Sequence, residues 1–183
     1  MTKLNPLCNP VNKLEAARRQ LDFAIRTYLA DEDILPIHTL AYASLTLLVD
    51  YDRHTNRGTV WAKIMRNHPH DWSREIANFL KHADRDPYAE IPDVPECVPE
   101  FLLHMCARIY AELAGRPTKE MAVMALLMDV KFKWEKEAEQ ERDSWDSYYD
   151  EDKLIEAARR ERITSKSLRD AGRKMLAGEP LYA

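Results

Sequence analysis

Glycine is scarce, with four in 183 residues. Loops that cradle phosphate need several glycines to bring backbone N–H groups against the ligand, and neither a P-loop nor a dinucleotide-binding turn can be assembled here. A G-x-S-x-G nucleophile elbow is missing as well. These absences exclude the common α/β nucleotide enzymes. Cysteine is also sparse: Cys8, Cys97 and Cys106 are far apart and form no C-x-x-C pair. They read as reduced thiols of a cytoplasmic protein, neither a zinc knuckle nor a disulfide framework. No run of about 18 apolar residues is found, and the start MTKLNPLCNPVNK holds no apolar stretch of signal-peptide length, so no membrane span is expected. The formal net charge of -4 gives no whole-chain basic footprint for nucleic acid. Neither a repeat period nor a useful strand alternation appears, which excludes a solenoid and a sheet.

What is present is 45% apolar and 32% charged residues, the balance of an ordinary globular protein. A chain of this length suits one domain and buries roughly 70% of its unfolded surface. Helical spacing dominates. After an extended arm with Pro6 and Pro10, Asn12 can cap a helix in which Leu14, Ala17, Leu21, Ala24, Ile25 and Tyr28 share one stripe. Arg18, Arg19, Asp22 and Arg26 fall off that stripe. Pro36 fits the first turn of a second helix, apolar nearly all round from Ile37 to about Asp50, as expected at the centre of a bundle. His38 and Tyr42 lie one turn apart on it and are expected to be partly buried with ordinary hydrogen-bond partners.

The polar YDRHTNRG reads as a connector, followed by a short helix with Trp61, Ile64 and Met65 on one face. In the next helix, beginning near Asp71, Trp72, Ile76, Phe79, Leu80 and Ala83 form the stripe, and DRDP ends it. Pro87, Pro92, Pro95 and Pro99 make a stiff surface crossover. Glu100 to Ala114 then forms a helix closed by Gly115, and Thr118 caps another with Met121, Met124, Ala125, Met128 and Phe132 on its stripe. Residues 135 to 153 carry nine acidic and three basic side chains, whereas 154 to 183 carry seven basic and four acidic. The fold expected is an all-α, up-and-down bundle of about five to seven helices over residues 1–134. Residues 135–183 add an acidic linker, with Trp145, Tyr148 and Tyr149, and a basic helical tail packed on or beside the bundle. Its helices span roughly Asp152 to Arg162 and Ser165 to Ala177.

Chemistry concentrates in Asp71 to Pro87. Asn78 and His82 are four apart and face the same way on a helix, so both can reach one ligand. His82 suits general acid or base work near neutral pH, Asn78 can orient a ligand, and Lys81 and Arg85 attract anions. The plainer reading is a helix end, where His82 complements the dipole and Asn78 is a solvated polar contact. His70 and Asp71 formally make the HD pair of metal-dependent phosphohydrolases, but in a polar, proline-flanked loop instead of an apolar helix. No Glu-x-x-His pair is found, and no metal or cofactor is expected.

The order of LEAARRQLDFAIRTYL, HTLAYASLTLL and a helix carrying ANFLKHAD resembles the HEPN-like class of small helical proteins. It is similar also to bacterial proteins sharing the signature NFxKHADRDP, and the resemblance covers roughly residues 12 to 130. It implies a helical bundle that often dimerises. It also implies a metal-independent ribonuclease in which an Arg, commonly followed by a polar residue, stands four to six residues before a His. His82 matches the His and Asn78 the polar residue, but Ala77 stands where the Arg belongs. Arg74, the nearest guanidinium upstream, is off the Asn78–His82 face by about 40° to 60°. Without that guanidinium, transition-state charge on a phosphate lacks its bidentate partner. The expectation is therefore a non-catalytic binding or interaction module, a homodimer that takes a nucleotide, RNA or a protein partner. The alternative is a metal-independent endoribonuclease using His82 and Asn78.

Overall fold

The structure is a computed structural model that describes residues 10–67, 71–82, 84–131 and 165–180. Seven helices and no strand occur among the described residues: α1 (Lys13–Leu29), α2 (Ile34–Thr55), α3 (Val60–Asn67), α4 (Asp71–Phe79), α5 (Cys97–Ala114), α6 (119–131) and α7 (Ser165–Ala177). The all-helical, bundle-like fold expected from the spacing is the fold observed. Most of the N-terminal arm, Trp145, Tyr148, Tyr149, Phe132 and the helix expected near 152–162 lie outside the described residues.

Asn12 caps α1 as its residue type predicts: its Oδ1 accepts from the Glu15 N–H at 2.8 Å. The stripe of α1 is buried, with Ala17, Leu21, Ala24 and Ile25 each 0% exposed. Asp22 departs from its expected off-stripe place. It is buried and accepts from Thr118 Oγ1 at 2.6 Å and from Arg18 Nη1 at 2.8 Å, which ties α1 to the start of α6. Burial pushes its carboxyl above the usual carboxylate range, against these bonds.

The central helix is α2, which packs on α1, α3, α4 and α5. Asp33 caps it through the Leu35 N–H, and Pro36 sits in the first turn, where its missing N–H costs nothing. It continues to Thr55, past the expected end near Asp50, until Asn56 takes the left-handed conformation at φ 50°. Nothing between Tyr51 and Thr55 breaks a helix, and Asp52 gains partners there. Its Oδ1 accepts from the Thr59 N–H and its Oδ2 from Arg66 Nη1, fastening α3. Burial raises the Asp52 carboxyl, but these bonds outweigh it and hold the group below its ordinary range. By length and composition α2 is apolar enough to cross a membrane. In this bundle Ile37, Ala41, Leu45 and Leu48 of that helix enter the common core. Each leucine or isoleucine of this set contributes roughly 1.5–3 kcal/mol when fully buried.

The prolines keep residues 86–95 out of helix, and α5 starts at Cys97, before the expected Glu100, because Pro99 is compatible with a first turn. Gly115 closes α5 at φ 78°. Thr118 Oγ1 then accepts from the Met121 N–H at 3.2 Å, starting α6 as expected. The methionines of α6 are core residues, with Met121 and Met124 both 0% exposed. Helix α7 has the bounds its sequence predicts and packs on α1. Gly172 makes the close approach possible: a Cβ there would lie 2.6 Å from Leu29 Cδ2 and 2.8 Å from Leu127 Cδ1.

Candidate functional site: a cation over an aromatic pair

The α4 stripe turns Ile76 and Ala77 inward, 7% and 1% exposed, and leaves Arg74 and Asn78 in solvent. The helix ends at Phe79, three residues short of His82. Its last turn still closes, because the Asn78 carbonyl accepts from both the Lys81 N–H at 3.1 Å and the His82 N–H at 3.0 Å. Asn78 and His82 therefore stay one turn apart even though His82 has left the helix. The His82 side chain is 37% exposed, with Nδ1 3.9 Å from Asp84 Oδ1. Arg85 is exposed, and its N–H donates to the His82 carbonyl. Ala77 removes the site's expected guanidinium doubly, since its position faces the core.

Lys81 gives the site its organisation. Its Nζ lies 5.2 Å from the centroid of the Tyr42 ring on α2, a cation–π contact. Tyr42 in turn stacks on His38, with ring centroids 6.1 Å apart and planes 12° from parallel. Burial pushes the Tyr42 phenol up while the charge of Arg74 pulls it down, so Arg74 acts on the same place as Lys81. Arg74 and Asn78 lie one turn apart on α4, and Lys81 follows in the turn just past its end.

His38 overturns its expectation. It is 0% exposed, not partly buried, and neither ring nitrogen has a hydrogen-bond partner among the described residues. Burial, assisted by the Lys81 charge, pushes its imidazole down from 6.5 to about 4, so it is neutral at physiological pH. The sequence marks this residue only as a polar side chain on an all-round apolar helix.

A second polar centre was not legible from spacing. Glu100 is buried and accepts from the Tyr28 hydroxyl and from Lys131 Nζ, both at 2.5 Å. Beside it Arg169 of α7 is 7% exposed and bonds Glu96 and Asp31 at 3.0 and 2.8 Å, its guanidinium 5.5 Å from the Tyr28 ring centroid. Tyr28, Arg169 and the Pro92 segment border a cavity of about 480 Å³. Each hydroxyl, carboxylate and ammonium of the Tyr28–Glu100–Lys131 set has a partner, and so the set reads as architecture. Among the described residues no group of three or more His, Cys, Asp or Glu stands ready to hold a metal ion. Asp71 begins α4, and His70 lies outside the described residues. Comparison with protein-family models, curated proteins and solved structures finds no match to this chain.

Proposed function

We propose that this chain is a HEPN-like, non-catalytic binding module that works as a cytoplasmic homodimer and takes the phosphates of a nucleotide or RNA at the end of α4. Asn78, Lys81, His82 and Arg85 form the ligand face, and the charge of Arg74 acts on the Tyr42 that Lys81 rests against. The observation that carries the reading is Ala77, which is 1% exposed and occupies the place of the arginine that phosphodiester cleavage wants. With alanine at that position, the cations around His82 can attract and hold a phosphate without the arginine placed one turn before the histidine that the resemblance asks for. Lys81, resting on Tyr42, is already held at the surface where an anion would meet it, which lowers the ordering cost of binding.

The alternative, a metal-independent endoribonuclease, is favoured by the turn that keeps Asn78 and His82 together through the Asn78 carbonyl. One experiment separates the two: RNA incubated with the protein in EDTA, with His82→Ala run beside it. The binding reading expects an RNA complex and intact RNA with both proteins. Cleavage by the wild type that disappears in the variant would overturn it in favour of the enzyme.

A further inference from the structure

A second recess lies away from the end of α4. Gly115 closes α5, and the chain turns through Arg116 and Pro117 to Thr118, which caps α6. With Arg18 of α1 and with Tyr110 and Ala114 of α5, these three residues line a cavity of about 430 Å³. That volume is within the range of pockets that hold small organic molecules. Tyr110 is what makes the recess a candidate site. It is 8% exposed, and its hydroxyl makes no hydrogen bond among the described residues. A tyrosine this deep ordinarily ends on a partner. Burial pushes its phenol up, the charges of Arg18 and Arg116 pull it down, and those of Glu15 and Asp22 push it up again, so the group stays a protonated donor near neutral pH. We propose that this cavity binds a small organic acid through a single carboxylate. The Tyr110 hydroxyl donates to one carboxylate oxygen, Arg116 pairs with the charge, and the apolar body of the ligand lies along Ala114 and Pro117.

The charges around the cavity decide which kind of anion fits. Arg18 is held by Glu15 at 2.7 Å and by Asp22 at 2.8 Å, so its charge is more than neutralised. In the first turn of α6, Glu120 pairs with Arg26 and Lys119 donates to the Leu176 carbonyl. What remains is Arg116, exposed and without an ion pair among the described residues, and the positive end of α6, equivalent to about half an elementary charge. That surplus matches one negative charge. A phosphate monoester would bring up to two and set the second against Glu15 and Asp22. A planar guanidinium also takes a carboxylate as a two-pronged pair, and the hydroxyl adds a charge-assisted bond.

Benzoate, benzamide and phenyl phosphate are the probes: one ring carrying a carboxylate, a neutral isostere or a phosphate monoester. Titrated into the full chain and followed by heteronuclear NMR, benzoate is expected to bind with a Kd of about 1 mM and the other two at least about tenfold more weakly. The amide resonances of Arg116 and Thr118 should move. Arg116→Gln should weaken benzoate about tenfold and Tyr110→Phe about fivefold. Tyr110→Phe keeps the ring and removes a hydroxyl that has no partner, so its thermal stability should equal that of the wild type. A marked loss of stability in that variant would mean that the hydroxyl is already bonded, which overturns the proposal. No saturation by about 10 mM benzoate, shifts that avoid Arg116 and Thr118, or an affinity that either substitution leaves unchanged overturns it as well. Benzamide binding as tightly as benzoate removes the role of charge, and phenyl phosphate binding more tightly replaces the carboxylate with a phosphate; each result overturns the assignment. None of these outcomes bears on RNA binding at the end of α4, which shares no residue with this cavity.

Discussion

Glu100 and His38 are both almost wholly buried, 2% and 0% exposed, and their surroundings are opposite. The carboxylate of Glu100 receives a hydroxyl from α1 and an ammonium from α6, and the arginine that docks α7 lies close by. The imidazole of His38 receives no hydrogen bond among the described residues, and it stacks on Tyr42, on whose ring Lys81 rests. A buried polar group that is fully partnered fixes how helices meet. One left unpartnered is a local cost that the rest of the fold offsets, and such costs gather where a protein does its work. The contrast is what separates architecture from candidate function here, because both groups look alike in sequence.

Breaking the satisfied side should have the largest effect. Glu100→Ala strands the Lys131 ammonium and the Tyr28 hydroxyl, and a loss of about 3 to 5 kcal/mol is expected in urea denaturation. Glu100→Gln, which still accepts from Tyr28, should recover part of it. If Glu100→Ala costs no more than a surface substitution, the network is not structural.

The unsatisfied side should show itself through pH. Burial holds the His38 pKa at about 4 in the folded protein against 6.5 ordinarily, so the unfolded chain binds the extra proton between those values. Stability from this group is full above pH 6.5 and is lost as pH falls toward 4, by about 3 kcal/mol in total. His38→Leu should flatten that acid limb. An acid limb of unchanged depth in the variant would show that other groups cause it.

Docking of α7 gives a smaller test on the architectural side. Gly172→Ala forces the ends of Leu29 and Leu127 aside, and overpacking exceeds the helix-propensity gain, for a net loss of about 1 kcal/mol and faster proteolysis within α7. Wild-type stability and proteolysis would mean that α7 is not packed as closely as the Leu29 contact implies.

How much of this was readable in the sequence follows from what each feature depends on. Apolar spacing and caps are local, so α1, the α6 start at Thr118 and α7 follow from the order of residues. The end of α2 does not, because Asp52 keeps the helix going through bonds to Thr59 and Arg66 on the next element. Asp22 falls off the apolar stripe and Glu100 stands at a helix start, and neither position announces burial, since their partners Thr118 and Lys131 are distant in the chain. At the candidate site, the pairing of Asn78 with His82 rests on helical spacing and survives the early end of α4. The contact that organises the site, Lys81 on Tyr42, joins residues on different elements, and no local pattern announces it.

Lys81→Ala removes one exposed cation and one cation–π contact, so its effect on folding should be the smallest of the set, under about 1 kcal/mol. Its effect on binding should not be small. Titrating a short RNA into the wild type and into Lys81→Ala at low salt therefore tests the functional surface directly. The account predicts affinity at least about tenfold weaker in the variant with unchanged thermal stability. Equal affinity in the two proteins would contradict it and move the binding surface away from the end of α4.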